Sequence, residues 1–368
     1  LAANTTGWGN HAIGSSALVS NTTGSGNIAQ GHTAMGANTT GSWSVGVGYA
    51  SLANTTTGGG NSASGYRSLS GNTTGSCNVA MGHQSMYCNT TGLFNVGIGR
   101  AALWSNTTGG YNTAVGVCAL WCNTTASNNT AYGATSMNRN TTGTANTSLG
   151  QSSMYSNTTG CDNTAVGFQT MFNHTTGLRN TGVGYTALFS NTTGYYHTAV
   201  GSQALYSTTT GTWNTSVGFQ SMYTNTTGTL NAAVGGQAMY YNTTGARNTA
   251  SGYRALFSNT SGNCNTATGA LALDANTTGT DNTAVGINSM GLNTTGLYNT
   301  GLGGSTLYNN TTANMNTSVG FQSMYYNTTG GVNVGVGGQT LHYNTTGAAN
   351  TASGYRALLC NTTGSFNT

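Results

Sequence analysis

The polar and apolar positions of this chain recur every 17 residues. Gly14, Gly31, Gly48, Gly65 and Gly82 open a series that runs to Gly354 without insertion or deletion, with glycine in all 21 places. The unit reads N-T-A-V-G-x-x-A-L-Y-x-N-T-T-G-x-x, and its places are numbered here 1 to 17 from the first Asn. Place 9, the column of Leu18, Met35 and Leu52, is Leu or Met in all 21 units. The place before it is always Ala, Ser or Thr, and place 3 (Ala12, Ala29, Gly46) is always Ala, Gly or Ser. Place 1 is Asn in 20 of 22 units, the exceptions being Ser44 and His197. Place 13, the first Thr of N-T-T-G, is Thr in all 22, and place 14 departs from Thr only at Ser261. Asn214–Thr260 matches Asn316–Thr362 almost residue for residue at an offset of 102, the mark of a six-unit duplication.

A 17-residue unit is too short for a helix pair, which needs about 33 residues. N-T-A-V-G is rich in β-branched residues and alternates, which predicts a strand with Thr and Val on one side and Asn and Ala on the other. A-L-Y predicts a second short strand, and N-T-T-G a turn whose Gly takes a positive φ. The expected fold is all-β, a parallel β-solenoid of the β-roll kind with one coil per 17-residue repeat. Residues 1–368 form a single continuous repeat array, uncapped at both ends. Coils stacking at ~4.8 Å would make a rod on the order of 100 Å long. Leu and Met such as Leu120, Met154, Leu188 and Met222 become an apolar spine, and the Asn and Thr columns become hydrogen-bonded ladders. The absence of Pro agrees, since ladder N–H groups are needed throughout. The small residues of place 3 are expected to let neighbouring chains approach closely, which favours an oligomer over a lone solenoid.

Composition sharpens this picture. Charged residues are 3% of the chain, against about 25% in an average domain. Lys, Glu and Pro are absent, and the net charge of +4 is spread over scattered Arg, leaving no basic stripe for nucleic acid. No run approaches the ~18 apolar residues of a membrane span. So little charge leaves solubility to Asn, Thr and Ser, and to any attached glycan.

N-T-T is an N-x-[ST] acceptor for N-glycosylation. It recurs in phase at place 12, in Asn4, Asn21, Asn38, Asn72, Asn89, Asn106, Asn123, Asn140, Asn157, Asn191, Asn225, Asn242, Asn259, Asn276, Asn293, Asn310, Asn327, Asn344 and Asn361. Thr55, His174 and Thr208 interrupt the column, and acceptor sequences reappear one residue earlier at Asn54 and Asn173. These Asn are the candidate glycosylation sites; the bland alternative is that Asn and Gly simply make the turn. The invariant first Thr is not required by an acceptor sequence, so a Thr ladder is expected there ahead of O-glycosylation. Place 1 reads as an internal Asn ladder.

Enzymatic constellations are missing. There is no Glu, the acids are Asp162, Asp274 and Asp281 alone, and the six His have no ligand spacing. No catalytic residue, metal site or cofactor is expected beyond covalent glycans. Cys88, Cys122 and Cys360 share a column but never occupy adjacent coils, which excludes a disulfide ladder. The aromatic column of Tyr87, Trp104, Trp121, Tyr155, Phe172 and Phe189 is either a carbohydrate-stacking stripe or a packed one.

Asn163-Thr164-Ala165-Val166-Gly167 and Asn282-Thr283-Ala284-Val285-Gly286 resemble the SVAIG-type repeats in the heads of trimeric autotransporter adhesins. Similar N-T-A-V-G-x-x-A-L repeats occur in bacterial and phage fibre proteins. The resemblance implies left-handed parallel β-rolls with three chains around one axis, although this unit is longer than the usual head coil by its N-T-T-G turn. The expected function is a structural subunit of an extracellular or cell-surface fibre, glycan-coated, even an environmental glycosylated fibril. Its partners are copies of itself, as a fibre or a trimer, and glycans. The alternatives are an adhesin head presenting a binding surface and, less favoured, an ice-binding solenoid. Adjacent Thr-Thr point to opposite faces of a strand, whereas a flat ice face wants Thr at alternate places.

Overall fold

Places 2 to 4 of each unit form a three-residue strand, and nothing else in the coil does. A computed structural model describes residues 1–368 as two units, Leu1–Asn180 and Thr181–Thr368. The first contains ten strands, from β1 (His11–Ile13) to β10 (Thr164–Val166). The second contains eleven, from β11 (Thr181–Val183) to β21 (Thr351–Ser353). Within each unit every strand pairs in parallel with the strand one repeat away, in strict register: Thr113 opposite Thr130, Ala114 opposite Ala131, and Ala250 opposite Ala267. The fold is an all-β parallel solenoid with 17-residue turns, as the periodicity predicts. There is no helix long and apolar enough to cross a membrane.

The second strand expected at A-L-Y does not form. Place 9 lies in the left-handed region in every unit, with φ from 47° at Leu18 to 53° at Leu52, and place 7 lies there too. Side chains cannot alternate across a pleat in such a backbone. The segment instead bonds from coil to coil as a corner, through contacts such as Leu103 N–H to the Ala119 carbonyl at 3.0 Å and Cys118 N–H to the Arg100 carbonyl at 3.0 Å. The left-handed conformation costs a non-glycine residue roughly 1–2 kcal/mol. Full burial of a Leu or Met side chain returns about 1.5–3 kcal/mol. Positive φ alone does not bar branched residues from the coil, since Thr33, Thr135 and Thr186 take φ of 54°, 55° and 48° at place 7 and Val332 takes 59° at place 17.

The two recurrent glycines serve different ends. At place 5, where glycine is invariant, the backbone takes φ of 120–140°, and a Cβ on Gly252 would stand 2.5 Å from the carbonyl oxygen of Gly269. The N-T-T-G glycine does not take the positive φ expected of it. It packs closely on the next coil, where a Cβ on Gly228 would lie 2.6 Å from the Gly245 carbonyl oxygen, yet the place accepts Ala126 and Ala313, both buried.

The interior is thin. It holds the Leu/Met spine, the small residues of places 3 and 8, and the Asn of places 1 and 12. Place 3 faces inward, so its small residues do not serve an approach between chains. A Cβ on Gly97 would lie 2.7 Å from Ser85 Oγ and 2.8 Å from Met86 Cγ, so the place-8 residue and the spine together crowd place 3.

Met222 is fully buried and Tyr195, at place 16, is 42% exposed. Met222→Asp should lower stability by more than about 3 kcal/mol, through loss of burial and an unpaired interior carboxylate. Tyr195→Asp should change it by under about 1 kcal/mol. Urea unfolding of the two variants checks the register; equal midpoints would contradict it.

Candidate functional site: amide ladders inside, aromatic ranks and a sheet face outside

The repeated chemistry of the chain is the N-T-T-G turn. Asn21, Asn38, Asn72, Asn89, Asn106, Asn123, Asn140, Asn157, Asn191, Asn225, Asn242, Asn259, Asn276, Asn293, Asn310, Asn327 and Asn344 are all fully buried. Asn106 is representative. Its Nδ2 donates to Asn89 Oδ1 at 2.7 Å and to the Gly109 carbonyl at 3.0 Å, and its Oδ1 accepts from Asn123 Nδ2 at 2.8 Å. Both amide hydrogens are engaged. An N-linked glycan would replace one of them and would have to leave through a closed interior. The acceptor reading of the in-phase column therefore fails for the folded coil. Only the end residues Asn4 and Asn361 are partly open. Of the two out-of-phase candidates, Asn54 is exposed and Asn173 half-buried.

Place 1 runs a second, parallel ladder. Asn112 donates its backbone N–H and its Nδ2 to Asn95 Oδ1, at 2.9 and 3.1 Å. The two ladders converge on the place-15 carbonyl. Gly109 accepts from Asn95 Nδ2 at 2.8 Å and Asn106 Nδ2 at 3.0 Å; Gly279 accepts from Asn265 at 2.8 Å and Asn276 at 3.1 Å. The two His exceptions keep this donor, whereas Ser44 and Thr55, which share one coil, do not: Ser44 Oγ turns to the Ser42 carbonyl at 3.5 Å and Thr55 Oγ1 accepts from Asn72 Nδ2 at 3.4 Å. His174 places Nε2 3.0 Å from the Gly177 carbonyl, and His197 places Nε2 2.7 Å from that of Gly211. Where Thr55 replaces Asn, Asn38 Oδ1 is left buried without a donor. The reappearance of acceptor sequences at Asn54 and Asn173 thus has no bearing on the interior.

The invariant place-13 Thr forms the ladder expected of it. Thr107 gives the Thr124 carbonyl both its N–H, at 2.8 Å, and its Oγ1, at 3.1 Å. A hydroxyl is the one side chain that can double this bond at that spot. The following Thr of place 14 is exposed in coil after coil, from Thr23 to Thr346.

The aromatic column of place 10 stacks on itself. In the second unit Phe189, Tyr206, Tyr223, Tyr240 and Phe257 follow one another with ring centroids 5.0–5.4 Å apart. Arg254 caps the last ring at 4.1 Å and bonds Asp274 at 3.2 Å. Burial pushes the Asp274 carboxyl up, and Arg254 opposes that shift. In the first unit Tyr87 stacks on Trp104 and Tyr155 on Phe172. Ring faces inside such a stack are covered by their neighbours, so a sugar cannot lie on them. All seven cysteines are free.

The outward strand places, 2 and 4, carry Thr or Val in most units, and Val200, Val234, Val285, Val334 and Val336 are all exposed. None of the ten Arg and Asp residues falls on either place; they stand at places 6, 7, 10, 11 and 17. The T-x-V alternation of the strand carries the signal for this face.

No protein-family model matches the chain, and no curated protein matches it.

His197, like His174, is a titratable group locked into the amide ladders. Its neutral Nε2–H tautomer donates to Gly211, while Nδ1 accepts the Asn214 N–H at 3.3 Å. Burial lowers its pKa to about 4, from an unfolded value near 6.5. The unfolded chain therefore binds the extra proton first. The full stability is present above pH 6.5 and declines as pH falls towards 4, by roughly 3 kcal/mol in all. His197→Asn restores the usual residue of the column and should abolish this component. Urea midpoints of wild type and variant should diverge between pH 6.5 and 4; parallel curves would refute the assignment.

Proposed function

We propose that the chain is a structural subunit of an extracellular fibre, not an enzyme, assembling with copies of itself through its sheet face. The observation that carries this reading is the face made by places 2 and 4. It is β-branched in most units, exposed or half-exposed, and free of Arg and Asp in every unit. Contiguous apolar surface of this kind marks an interaction site. An identical repeating face is self-complementary along its whole length, so a second copy matches it at every coil. The trimer implied by the adhesin-head resemblance is one such arrangement. The low charge of the chain is then accounted for by covered faces rather than by a coat over every coil. Glycans, where carried, belong on the exposed Asn54, the half-buried Asn173 and the place-14 Thr rank.

One observation favours an ice-ordering surface as a second reading. Thr113, Thr130, Thr147 and Thr164 stand in consecutive coils at place 2, with aliphatic or aromatic side chains two residues on at place 4. Thus the alternation a flat face needs exists on the strand, although not at the Thr-Thr pair. Thermal hysteresis assays separate this reading from the fibre.

Two outcomes follow. Val200→Lys, Val234→Lys, Val285→Lys and Val336→Lys combined should leave the coil folded and shift micromolar protein from oligomer to monomer in sedimentation velocity. A monomeric wild type, or an unaltered oligomer in the variant, would refute the interface. In native material, glycopeptide mass spectrometry should find sugar at Asn54, Asn173 or place-14 Thr and none at Asn106, Asn225 or Asn344. Modification of those three would overturn the interior assignment.

A further inference from the structure

The two outer aromatic ladders of the first unit end within two coils of each other, and a groove opens between the ends. At place 6, His32, Tyr49, Tyr66 and His83 stack at 5.0–5.4 Å, and the run stops because Arg100 follows. At place 10, Tyr87 and Trp104 stack at 12°, but Trp121 turns to 66° from Trp104. The next residue in that column is Asn138, whose amide is committed to the Cys118 carbonyl at 3.0 Å. Trp121 is therefore outside the stack and 41% exposed. Between the two columns lies place 7, filled by Gln or Arg in many coils. Here it holds Ala101 and Cys118, which are too short to fill the space. The result is a cavity of about 440 Å³ with Ala101 and Cys118 as its floor, Trp104 and Trp121 on one side, His83 and Arg100 on the other, and Gln84 at the end.

The electrostatics of the groove are one-signed. Arg100 is exposed, and unlike Arg179 and Arg254 it has no carboxylate partner. The only acids of the chain are Asp162, Asp274 and Asp281, so none stands within the three coils on either side of Arg100 that contain Arg67 and Arg139. A guanidinium with all its donors free is suited to a carboxylate, which it meets with two parallel hydrogen bonds. Indole rings at the wall suit a ligand with an apolar face and polar edges. His83 and Gln84 supply hydrogen-bonding groups at the same mouth.

We propose that this groove binds an acidic sugar, a uronic acid unit of a polysaccharide, with its ring against the Trp104–Trp121 wall and its carboxylate on Arg100. A nucleic acid also offers rings and anions, but it needs a cation for phosphate after phosphate. The chain has seven Arg and no Lys, and Arg67, Arg100 and Arg139 stand at three different places of the coil rather than in a row. One carboxylate per ring matches one Arg beside two indoles. The assignment is independent of the fibre reading, since the groove lies at places 6 to 10 and not on the sheet face.

Isothermal titration of the full chain with a galacturonic acid hexamer tests it, alongside a neutral cellulose hexamer and a thymidylate hexamer. The wild type should bind the acidic sugar saturably, at least tenfold more tightly than either control. Ala101→Gln should weaken that binding at least tenfold. It fills the floor with the side chain that Gln84 already carries at the same place and the same φ of 54°, so the fold is kept. Arg100→Ala should weaken it as much. The proposal is overturned if the acidic hexamer does not bind, if either control binds within tenfold of it, or if Ala101→Gln loses less than tenfold.

Discussion

Each coil turns a backbone carbonyl into its own interior, and the fold rests on how that carbonyl is satisfied. A ring of 17 residues encloses too little volume to hold many apolar side chains, so the turn at place 15 cannot be kept in water. A buried carbonyl without a donor costs about 1–3 kcal/mol, repeated at every coil. Two Asn amides converge on it, as Asn95 and Asn106 do on Gly109. Each amide has a second hydrogen and an oxygen to place, and the neighbouring coils accept and supply them. The ladder therefore closes only when coils stack in strict register. One local preference, a donor for an inward carbonyl, thereby favours Asn in two columns and rewards the in-register stacking of neighbouring coils.

The apolar half of the interior obeys a second restriction. The corner at places 7 to 9 puts the spine residue in the left-handed region, where unbranched Cβ substituents are tolerated best. Leu and Met satisfy that and still fill the space beside the small residue of place 3. The two restrictions are coupled. A larger residue at place 3 would push the spine outward, away from the corner backbone that bonds coil to coil. The small columns are thus part of the core and carry no information about neighbours.

Legibility followed how directly a residue type reports its backbone. The period, the parallel stacking, the spine and the Thr and Asn ladders were all readable, because a column that repeats on itself declares its environment many times over. The A-L-Y corner was not. Its residues are those of a strand, and the same left-handed backbone accepts Thr33, Thr135 and Thr186 at place 7, so residue type does not declare it. The N-T-T motif carries two meanings at once. Its letters match a modification signal, while inside the folded coil its Asn serves hydrogen bonding: His174 stands in for that Asn and still donates to the inward carbonyl, as His197 does in the other Asn column. A tolerated His is informative about the donor and irrelevant to a glycan acceptor. The groove at Arg100 was invisible because it depends on which small residues fall side by side in space, at Ala101 and Cys118, and on two aromatic runs stopping together.

The division between invariant inside and variable outside also explains where function can arise. Places 1, 3, 5, 8, 9, 12, 13 and 15 are tied to the ladders, the spine or the close approach of coils, so they cannot drift. Places 6, 7, 10, 11 and 17 bear the charged residues and nearly all the rings. A change at one of these places alters a single site on the surface without disturbing the stack. Variation in two adjacent coils is then enough to open or fill a recess, because neighbouring side chains of one column lie one strand spacing apart, ~4.8 Å. The sheet face behaves differently. Its two places are exposed and free to vary sterically, yet Arg and Asp are absent from both in every unit. The interior makes no demand on them, so what they carry is open to whatever meets the face, and under the fibre proposal that is the matching face of a second copy.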